Sequence, residues 1–373
     1  MIYLDNAATS HRKPVSVYSS MIKNTVFGGQ NAGRGAHKFS LAGVHTIVDT
    51  QDAIAELFNI SKPENIAFTQ NATYALNTAI RGVIRKGDHI IATEMDHNSV
   101  LRPVYEYEDY TIVKANSDGI VSPKNIEEAI KGNTRLIIST HASNVCGTLQ
   151  NVNEIGRIAK KHGALFLIDT AQTAGCTDID VKKINADFLA FSGHKGLMGP
   201  LGTGGLYIKD PSVIKPIITG GTGSNSESTH QPDFMPDMFH SGTMNTPAIA
   251  ALGKGVKYVL KHKADNIGMY ERYLADILES ELKNMRNIKL YGEGDKIGIV
   301  ALNIGDLDSV YVEKMLGDRF AVRGGFHCAP LAHKALDTLS TGIVRVSFGA
   351  FSKKREITKF VDRIYQISKS SLG

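Results

Sequence analysis

Short apolar runs alternate with amphipathic stretches through the middle of the chain. Seven of these runs are continuous enough to predict strands that are covered on both faces of a sheet. They are Ile66–Thr69, His89–Thr93, Tyr110–Val113, Leu136–Thr140, Leu165–Asp169, Phe188–Phe191 and Gly205–Ile208. Apolar residues at helical spacing predict helices at Thr73–Ile84, Pro123–Ile130 and Val152–His162. The alternation predicts an α/β fold with a mostly parallel sheet flanked by helices.

The pattern changes at both ends of this region. A polar loop at Asn31–His37 is expected to cover a site, and a long helix is expected to follow it to about Asn59. Periodicity is lost over 209–246, which predicts a long, ordered loop. Beyond it we expect the elements of a smaller unit, namely helices at about 247–262 and 265–285, strands near Ile299–Ile304, Ala321–Arg323 and Val344–Phe348, and a last helix from about Lys353.

These elements predict two domains. The large one covers residues 1–258, and its first segment, 1–40, partly covers the site. The small α+β domain covers 259–373. A chain of 373 residues exceeds the usual size of a single domain and can bury a large core, which agrees with this division.

Composition narrows the function classes. The formal net charge is only +5 and no long basic run occurs, so direct nucleic-acid binding is not expected. The three cysteines, Cys146, Cys176 and Cys328, are widely spaced and form no CxxC pair. This pattern argues against a disulfide framework and a metal site, and it fits the reducing cytoplasm. No run approaches the ~20 apolar residues that span a bilayer, so no membrane association is expected.

Polar residues cluster after the predicted strands, where the ligand sites of α/β sheets lie. In Ser192-Gly193-His194-Lys195, the glycine is expected to let the backbone turn sharply after a buried strand. An amine held there and partly desolvated can lose its proton and attack carbonyl groups. Each residue also has an ordinary structural reading: Lys195 as a surface lysine, Thr73 as part of a helix cap, Asp169 as a turn cap and His97 as a structural histidine.

Taken together, the strand ends match one cofactor. They offer groups for a phosphate, a ring nitrogen, a ring hydroxyl, a ring face and an aldehyde. In that order the residues are Thr73, Ser192 and His194, then Asp169, then Asn144 and Gln172, then His97, and last Lys195. Pyridoxal 5′-phosphate has all these groups, and its pyridinium needs an acidic partner to act as an electron sink. No dinucleotide fingerprint or Walker motif is present at the first βα turn.

The sequence resembles the class V, fold-type I pyridoxal-phosphate enzymes, specifically the cysteine desulfurases and selenocysteine lyases. The resemblance covers nearly the whole chain. Its motifs are Tyr3-Leu4-Asp5-Asn6-Ala7-Ala8-Thr9, Asn71-Ala72-Thr73, His97, Ser143-Asn144, Asp169-Thr170-Ala171-Gln172, Ser192-Gly193-His194-Lys195, Ser241-Gly242-Thr243, Arg323-Gly324-Gly325-Phe326-His327-Cys328-Ala329 and Arg345.

This resemblance implies a role for each site residue. Lys195 bonds covalently to the cofactor aldehyde, His97 stacks on the ring and also serves the chemistry, Asp169 pairs with the ring nitrogen, and Gln172 reaches the ring hydroxyl. The phosphate is held by Ala72, Thr73, Ser192 and His194. Thr243 reaches the phosphate of a neighbouring subunit, which implies a homodimer.

Cys328 separates the possible reactions. A desulfurase needs a thiol that attacks the substrate sulfur, and the match to Arg-x-Gly-x-His-Cys-Ala favours Cys328 as that nucleophile, with His327 beside it. Arg345, on an apolar strand, is the best candidate for binding the substrate carboxylate bidentately, whereas Arg34 and Asn144 are weaker ones.

The expected reaction converts L-cysteine to L-alanine and leaves a persulfide on Cys328. The sulfur then passes to an acceptor protein or a small thiol, with iron–sulfur cluster assembly as one use. Three alternatives remain open: a selenocysteine lyase acting on L-selenocysteine, a class V aminotransferase with an incidental cysteine, and a cofactor-bound scaffold without turnover.

Overall fold

A computed structural model describes residues 1–28, 31–32 and 35–370. Its helices are α1 Val15–Lys23, α2 Lys38–Phe58, α3 Ala72–Val83, α4 Asn98–Val104, α5 Pro123–Glu128, α6 Val152–Lys161, α7 Val181–Ile184, α8 Thr246–His262, α9 Ala264–Lys283, α10 Ser309–Leu316, α11 Pro330–Ala335 and α12 Lys354–Ser370. Its strands are β1 Ile2–Tyr3, β2 Ile66–Thr69, β3 His89–Thr93, β4 Tyr110–Val113, β5 Thr134–Thr140, β6 Leu165–Asp169, β7 Phe188–Ser192, β8 Gly204–Ile208, β9 Ile288–Tyr291, β10 Ile299–Ile304, β11 Phe320–Ala321 and β12 Val344–Ser347.

A seven-stranded sheet forms the centre of the molecule, in the order β2-β8-β7-β6-β5-β3-β4. Strands β7, β6, β5, β3 and β4 pair in parallel, and β8 runs antiparallel to both its neighbours. The predicted α/β fold with a mostly parallel sheet is therefore confirmed. Because the parallel strands share one direction, their carboxyl ends meet at one edge of the sheet.

The core of the large sheet lies on both of its faces. One apolar cluster includes Phe166, Phe191 and Ile137, and a second includes Leu167, Phe188 and Ile138. Residues that follow one another along a strand thus point into opposite clusters, as the pleat requires. This double burial explains why the strands read as continuous apolar runs in the sequence.

A second sheet is antiparallel, in the order β12-β10-β9. It packs against α9 and α12 around a separate apolar cluster that includes Leu278 and Phe360. The N-terminus joins this part of the molecule, because β1 pairs in parallel with β11. The division at 258/259 falls inside α8, and it stays a prediction.

Some elements are absent from the sequence prediction. Strand β9 alternates between half-buried and exposed positions, so it lacks the continuous apolar run that marks the other strands. Helix α1 buries only Val17 and Ser20, which leaves a weak apolar stripe. The long segment between β8 and α8 contains one 3₁₀ turn, Pro211–Val213, in agreement with the predicted loop.

Within residues 1–28, 31–32 and 35–370, no helix is both long and apolar enough to cross a membrane. In the same residues, no group of three or more His, Cys, Asp or Glu side chains is arranged to hold a metal ion.

Candidate active site

A cavity of about 260 Å³ lies at the edge of the large sheet where the parallel strands end. Nine of the predicted site residues line it, namely Ala72, Thr73, His97, Asn144, Asp169, Gln172, Ser192, His194 and Lys195. The fold thus brings together predicted residues from the ends of five strands, β2, β3, β5, β6 and β7. Arg345, Cys328 and Thr243 lie outside this wall, and Arg34 lies outside the described residues.

Lys195 is held by a rigid turn directly after β7. The glycine before it is needed for close packing, because a Cβ at Gly193 would clash with Thr203. Gly193 does not adopt a positive φ, so the expected sharp turn is not the reason for this glycine. The N-terminal segment fastens the same turn, since Thr9 Oγ1 and the Ser10 amide each donate to the His194 carbonyl oxygen over 3.1 Å.

The amine of Lys195 has an altered pKa. Burial lowers the pKa to about 8, the negative charge of Asp169 opposes this shift, and the positive charge of Arg345 adds to it. A lysine in water titrates near pH 10.4, so the neutral amine is far more populated here. The site therefore provides a nucleophile and proton acceptor at neutral pH.

Asp169 ends β6 and is buried at the cavity wall. Its Oδ1 accepts a hydrogen bond from the Ala171 amide at 2.9 Å. Burial raises the pKa of Asp169, whereas that hydrogen bond and the nearby Lys195 lower it. A buried carboxyl group facing a cavity is costly unless a cation pairs with it, so the position suits a ligand with a positive group.

Another part of the cavity wall is suited to an anion. It includes Ala72 and Thr73, whose main-chain amides belong to the first turn of α3 and therefore have no acceptor within the helix. The Thr73 hydroxyl lies 2.8 Å from the Ser99 hydroxyl, and Ser99 also lines the cavity. His194 adds a buried Nδ1 that has no hydrogen-bond partner among the described residues.

His97 lines the cavity as a neutral ring. Its Nδ1 accepts a hydrogen bond from the Ser99 amide at 3.0 Å, because a main-chain N–H can only donate. Burial, together with the positive charge of Lys195, lowers the pKa of His97 to about 4. The single ring proton is therefore on Nε2, and the uncharged ring presents a flat apolar face.

Cys328 lies at the surface in a turn just before α11, and its thiol is exposed. His327 and Cys328 both have positive φ, +51° and +57°. Two hydrogen bonds join this turn to the cavity. Asn144 Nδ2 donates to the His327 carbonyl at 2.6 Å, and the Asn98 amide donates to the Cys328 carbonyl at 2.8 Å.

The side chain of His327 points away from the thiol into the protein. Its Nδ1 lies 3.4 Å from His333 Nε2, and its Nε2 lies 3.2 Å from the Arg323 carbonyl oxygen. Neither ring nitrogen of His327 is therefore paired with the neighbouring Cys328 thiol.

Arg345 is buried behind the cavity on β12. Its Nη1 donates to the Asn144 carbonyl at 2.8 Å, and its Nη2 forms an ion pair with Asp5 at 2.9 Å. Its Nε has no hydrogen-bond partner among the described residues. Burial lowers the pKa of Arg345, and Asp5 raises it.

The matching protein-family model is that of the aminotransferases of class V, and it spans residues 2–360. This chain belongs to the aminotransferase class-V family. The probable cysteine desulfurase of Methanothermobacter thermautotrophicus is 34% identical over 380 aligned residues, which cover 98% of this chain and 94% of that protein. The probable cysteine desulfurase of Pyrococcus abyssi is 33% identical over 390 aligned residues, which cover 99% of this chain and 95% of that protein.

A solved structure has nearly the same fold. The apo structure of a cysteine desulfurase from Thermococcus onnurineus NA1 superimposes with a TM-score of 0.92 and is 31% identical, over 99% of this chain and 95% of that chain. The predicted resemblance to class V enzymes is therefore confirmed.

Class V aminotransferases use pyridoxal phosphate, and the cavity of this member fits that group chemically. The free helix amides and the unpaired His194 Nδ1 supply the donors that a phosphate needs. A buried carboxyl at Asp169 suits a protonated ring nitrogen, and a lysine with a lowered pKa suits an aldehyde.

Several residues of this class V site were missed in the sequence. Ser99 joins His97 to Thr73, and Asp5 pairs with Arg345. The position of Ser99, two residues after His97 in a predicted strand-end loop, was a usable signal. The contact of Asn98 with Cys328 joins residues far apart in sequence, and nothing local in the chain marks it.

Proposed function

We propose that this protein is a pyridoxal-phosphate-dependent cysteine desulfurase that converts L-cysteine to L-alanine and forms a persulfide on Cys328. The observation that carries the proposal is the attachment of the Cys328 turn to the cofactor cavity. Asn144 lines the cavity with Lys195 and Asp169, and it donates to the carbonyl of His327 next to the thiol. An aminotransferase has no need of a thiol in this place.

The residues of the cavity would hold the cofactor in one orientation. Ala72, Thr73, Ser192 and His194 take the phosphate, while Asp169 pairs with the ring nitrogen at the other end. Bound in this way, pyridoxal phosphate supplies an electron sink that makes the bonds at the substrate α-carbon labile. His97 covers the ring face as a neutral side chain, and Gln172 and Asn144 are the amides within reach of the ring hydroxyl.

Lys195 serves as the base that accepts the proton from the substrate α-carbon. With a pKa of about 8, about a tenth of the amine is neutral at pH 7, compared with less than about a thousandth for an unperturbed lysine. Because the turn around Lys195 is fixed by Thr9 and Ser10, the amine stays at the cavity wall throughout the reaction.

Cys328 performs the sulfur transfer. Its thiolate attacks the substrate sulfur, so that an S–S bond forms while the carbon–sulfur bond of the substrate breaks. The electron pair of the broken bond stays on the substrate carbon, which takes up a proton and leaves as alanine. The thiol is exposed, so the persulfide that it carries can be reached by an acceptor.

Arg345 binds the substrate carboxylate in this proposal. Its buried guanidinium still has one unpaired donor, Nε, and it is already held next to Asn144. Asn144 assists from the cavity wall. Arg34 remains a further candidate for the same carboxylate.

Sulfide and alanine production test this function against its rivals. Protein loaded with pyridoxal phosphate and given L-cysteine and a reducing thiol should release sulfide and alanine in equal amounts without any keto acid. A strict need for a keto acid acceptor indicates the aminotransferase, and turnover of L-selenocysteine but not of L-cysteine indicates the selenocysteine lyase. If neither L-cysteine nor L-selenocysteine gives a product, with or without a keto acid, the result indicates a cofactor-bound scaffold without turnover.

The working unit is proposed to be a homodimer in which Thr243 contacts the phosphate of the partner's cofactor. Thr243 lines a separate cavity of about 440 Å³ together with Tyr74, away from its own chain's site. Large apolar side chains, among them Val15, Tyr18 and Ile22, are exposed on α1. Mixing Lys195→Ala with Thr243→Ala subunits should restore activity above the level of either variant, because each mixed dimer then contains one complete site.

The sulfur is proposed to pass to an acceptor protein in the cytoplasm, with iron–sulfur cluster assembly as one destination. The three cysteines are free, as expected in a reducing compartment, and only Cys328 is exposed among them. Release of the sulfur from Cys328 to a small thiol in the absence of any protein acceptor would show that an acceptor protein is not required.

A further inference from the structure

A buried pair of histidines lies directly beneath the turn that carries Cys328. His333, on α11, is fully buried, and His327 is nearly so. Their facing nitrogens, His327 Nδ1 and His333 Nε2, are 3.4 Å apart, and the ring planes lie within 7° of parallel. On its far side, His333 Nδ1 lies 2.9 Å from the hydroxyl of the buried Thr338.

The Arg323 carbonyl at the end of this hydrogen-bonded series determines which nitrogen of each histidine carries a proton. The Arg323 carbonyl can only accept, so His327 Nε2 must carry the proton that bridges the 3.2 Å to it. Burial lowers the pKa of His327 well below its usual value and that of His333 to about 4, so both rings are neutral. A neutral ring has one N–H, and His327 Nδ1 is therefore an acceptor.

The second ring must then donate. His333 Nε2 carries the proton that faces His327 Nδ1, and His333 Nδ1 accepts from the Thr338 hydroxyl. All the donors thus point the same way, from Thr338 through both rings to the Arg323 carbonyl. A second proton on His327 would place an N–H at Nδ1 against the N–H of His333 Nε2, and the hydrogen bond between the two rings would be lost.

The turn above these rings is strained and needs such support. His327 and Cys328 are consecutive non-glycine residues in the left-handed region, which costs about 1–2 kcal/mol for each residue. Asn144 and Asn98 hold the two carbonyl oxygens of the turn from the cavity side. The His327 ring holds it from the opposite side, and His333 fixes that ring.

We propose that His333 is a positioning residue for Cys328, because its hydrogen bond to His327 holds the left-handed turn that directs the thiol to the substrate sulfur. This proposal rests on the desulfurase function proposed above. His333 does not touch the thiol or the substrate, and it passes no proton to them. Its role is to keep the thiol at a fixed distance from a cavity that Asn144 already borders.

The proposal is tested with paired variants of the full-length protein loaded with pyridoxal phosphate. His333→Phe keeps a planar ring of similar size but has no hydrogen-bonding group. His333→Gln keeps a donor for His327 and an acceptor for Thr338. Thr338→Val and Thr338→Ser form the second pair, in which the first variant lacks the hydroxyl and the second retains it.

The measurements are the visible absorbance of the bound cofactor, KM for L-cysteine, and the single-turnover rate of persulfide formation on Cys328. His333→Phe should leave the absorbance unchanged and KM within a factor of about two, while persulfide formation slows by about 10–100-fold, as expected for a misplaced reacting group. His333→Gln should recover most of the rate. Thr338→Val should be slower than Thr338→Ser.

Equal rates in His333→Phe and wild type overturn the proposal, as does a His333→Gln rate as low as that of His333→Phe. If His333→Phe does not fold, the Thr338 pair decides, and equal rates in its two members also overturn it. If the wild-type protein itself forms no persulfide from L-cysteine, the desulfurase function is contradicted. This outcome is distinct from a failure of the positioning proposal, because it is seen without any variant.

Discussion

Arg345 and Asp5 form an ion pair in the interior of the protein, with Arg345 Nη2 at 2.9 Å from Asp5 Oδ1. They are 340 residues apart in sequence, and the pair fastens the N-terminal segment to β12. The guanidinium also donates to the Asn144 carbonyl, so it is held rigidly while its Nε remains unpaired. A rigid, buried guanidinium next to the cavity is well prepared to bind a substrate carboxylate.

Replacing Arg345 by lysine should weaken substrate binding selectively. Lysine keeps a positive charge near Asp5 but lacks the unpaired Nε–H that we propose the guanidinium offers to the substrate carboxylate. Because one charged hydrogen bond contributes about 1.5–3 kcal/mol, KM for L-cysteine should rise about 10–100-fold in steady-state assays. The cofactor absorbance should not change. Arg355→Lys, an exposed site on α12, is the matched control, and a KM change of the same size there would count against the assignment.

The lowered pKa of Lys195 predicts how the cofactor-free protein takes up pyridoxal phosphate. Only the neutral amine attacks the aldehyde, and the pKa of about 8 means that its population increases about tenfold for each pH unit below that value. The rate of cofactor uptake, followed by visible absorbance, should therefore rise steeply between pH 6 and about 8 and then level off.

An unperturbed lysine gives a different profile. Its rate would continue to rise to about pH 10, and such a curve would contradict the burial of Lys195. Lys195→Ala is the control for specificity and should show no lysine-bound absorbance at any pH. Lys124→Ala, at an exposed lysine on α5, is the matched control and should keep the plateau near pH 8.

The fold was predictable because continuous apolar runs separated by turn residues leave few other arrangements. Strands β2, β3, β4 and β6 begin and end where the pattern predicts them. Strand β9 was missed, since only Tyr291 of its four residues is buried and its sequence lacks a continuous apolar run. The direction of β8 was not evident either, because an antiparallel strand buried on both faces has the same composition as a parallel one.

Asp96 is a buried carboxyl group that joins the ends of β3 and β5 beneath the cavity. Its oxygens accept from the Thr93 amide at 2.7 Å, the Thr93 hydroxyl at 2.9 Å and the Thr140 amide at 2.7 Å. Burial nevertheless raises the pKa of Asp96 to about 7. A folded-state pKa above the unfolded value near 3.9 favours folding below about pH 4, and this contribution is lost as the pH rises to about 7.

The Asp96→Asn variant should reveal this loss, because asparagine has nearly the shape of the protonated acid. At about pH 4.5 the variant should be less stable than wild type by roughly 1–3 kcal/mol, since one donor group then faces another. The deficit should shrink towards about pH 7.5, as the wild type ionises. Urea unfolding at both pH values measures the difference in the free energy of unfolding between the variant and wild type. The exposed Asp318→Asn variant is the control. A deficit that grows with pH would mean that the ionised carboxylate is the favoured form.

The candidate site was predictable only in part. Residues directly after strands, such as Asp169 and Lys195, could be grouped because parallel strands end at one edge. Contacts between distant segments could not be read from the pattern. The Asp5–Arg345 pair and the attachment of Cys328 to Asn98 each join segments that are distant in the sequence. The contact of His327 with His333 is local, but it depends on the left-handed turn before α11, which nothing in the apolar pattern marks.

The direct test of the central proposal is mass spectrometry of the protein after a brief reaction with L-cysteine. We predict one added sulfur atom on the peptide that contains Cys328, together with one alanine released. Cys328→Ser should keep the cofactor absorbance and lose the modification, whereas Cys176→Ser, at a buried cysteine, should retain it. Alanine formation without any sulfur on Cys328, or undiminished sulfide release by Cys328→Ser, would contradict it.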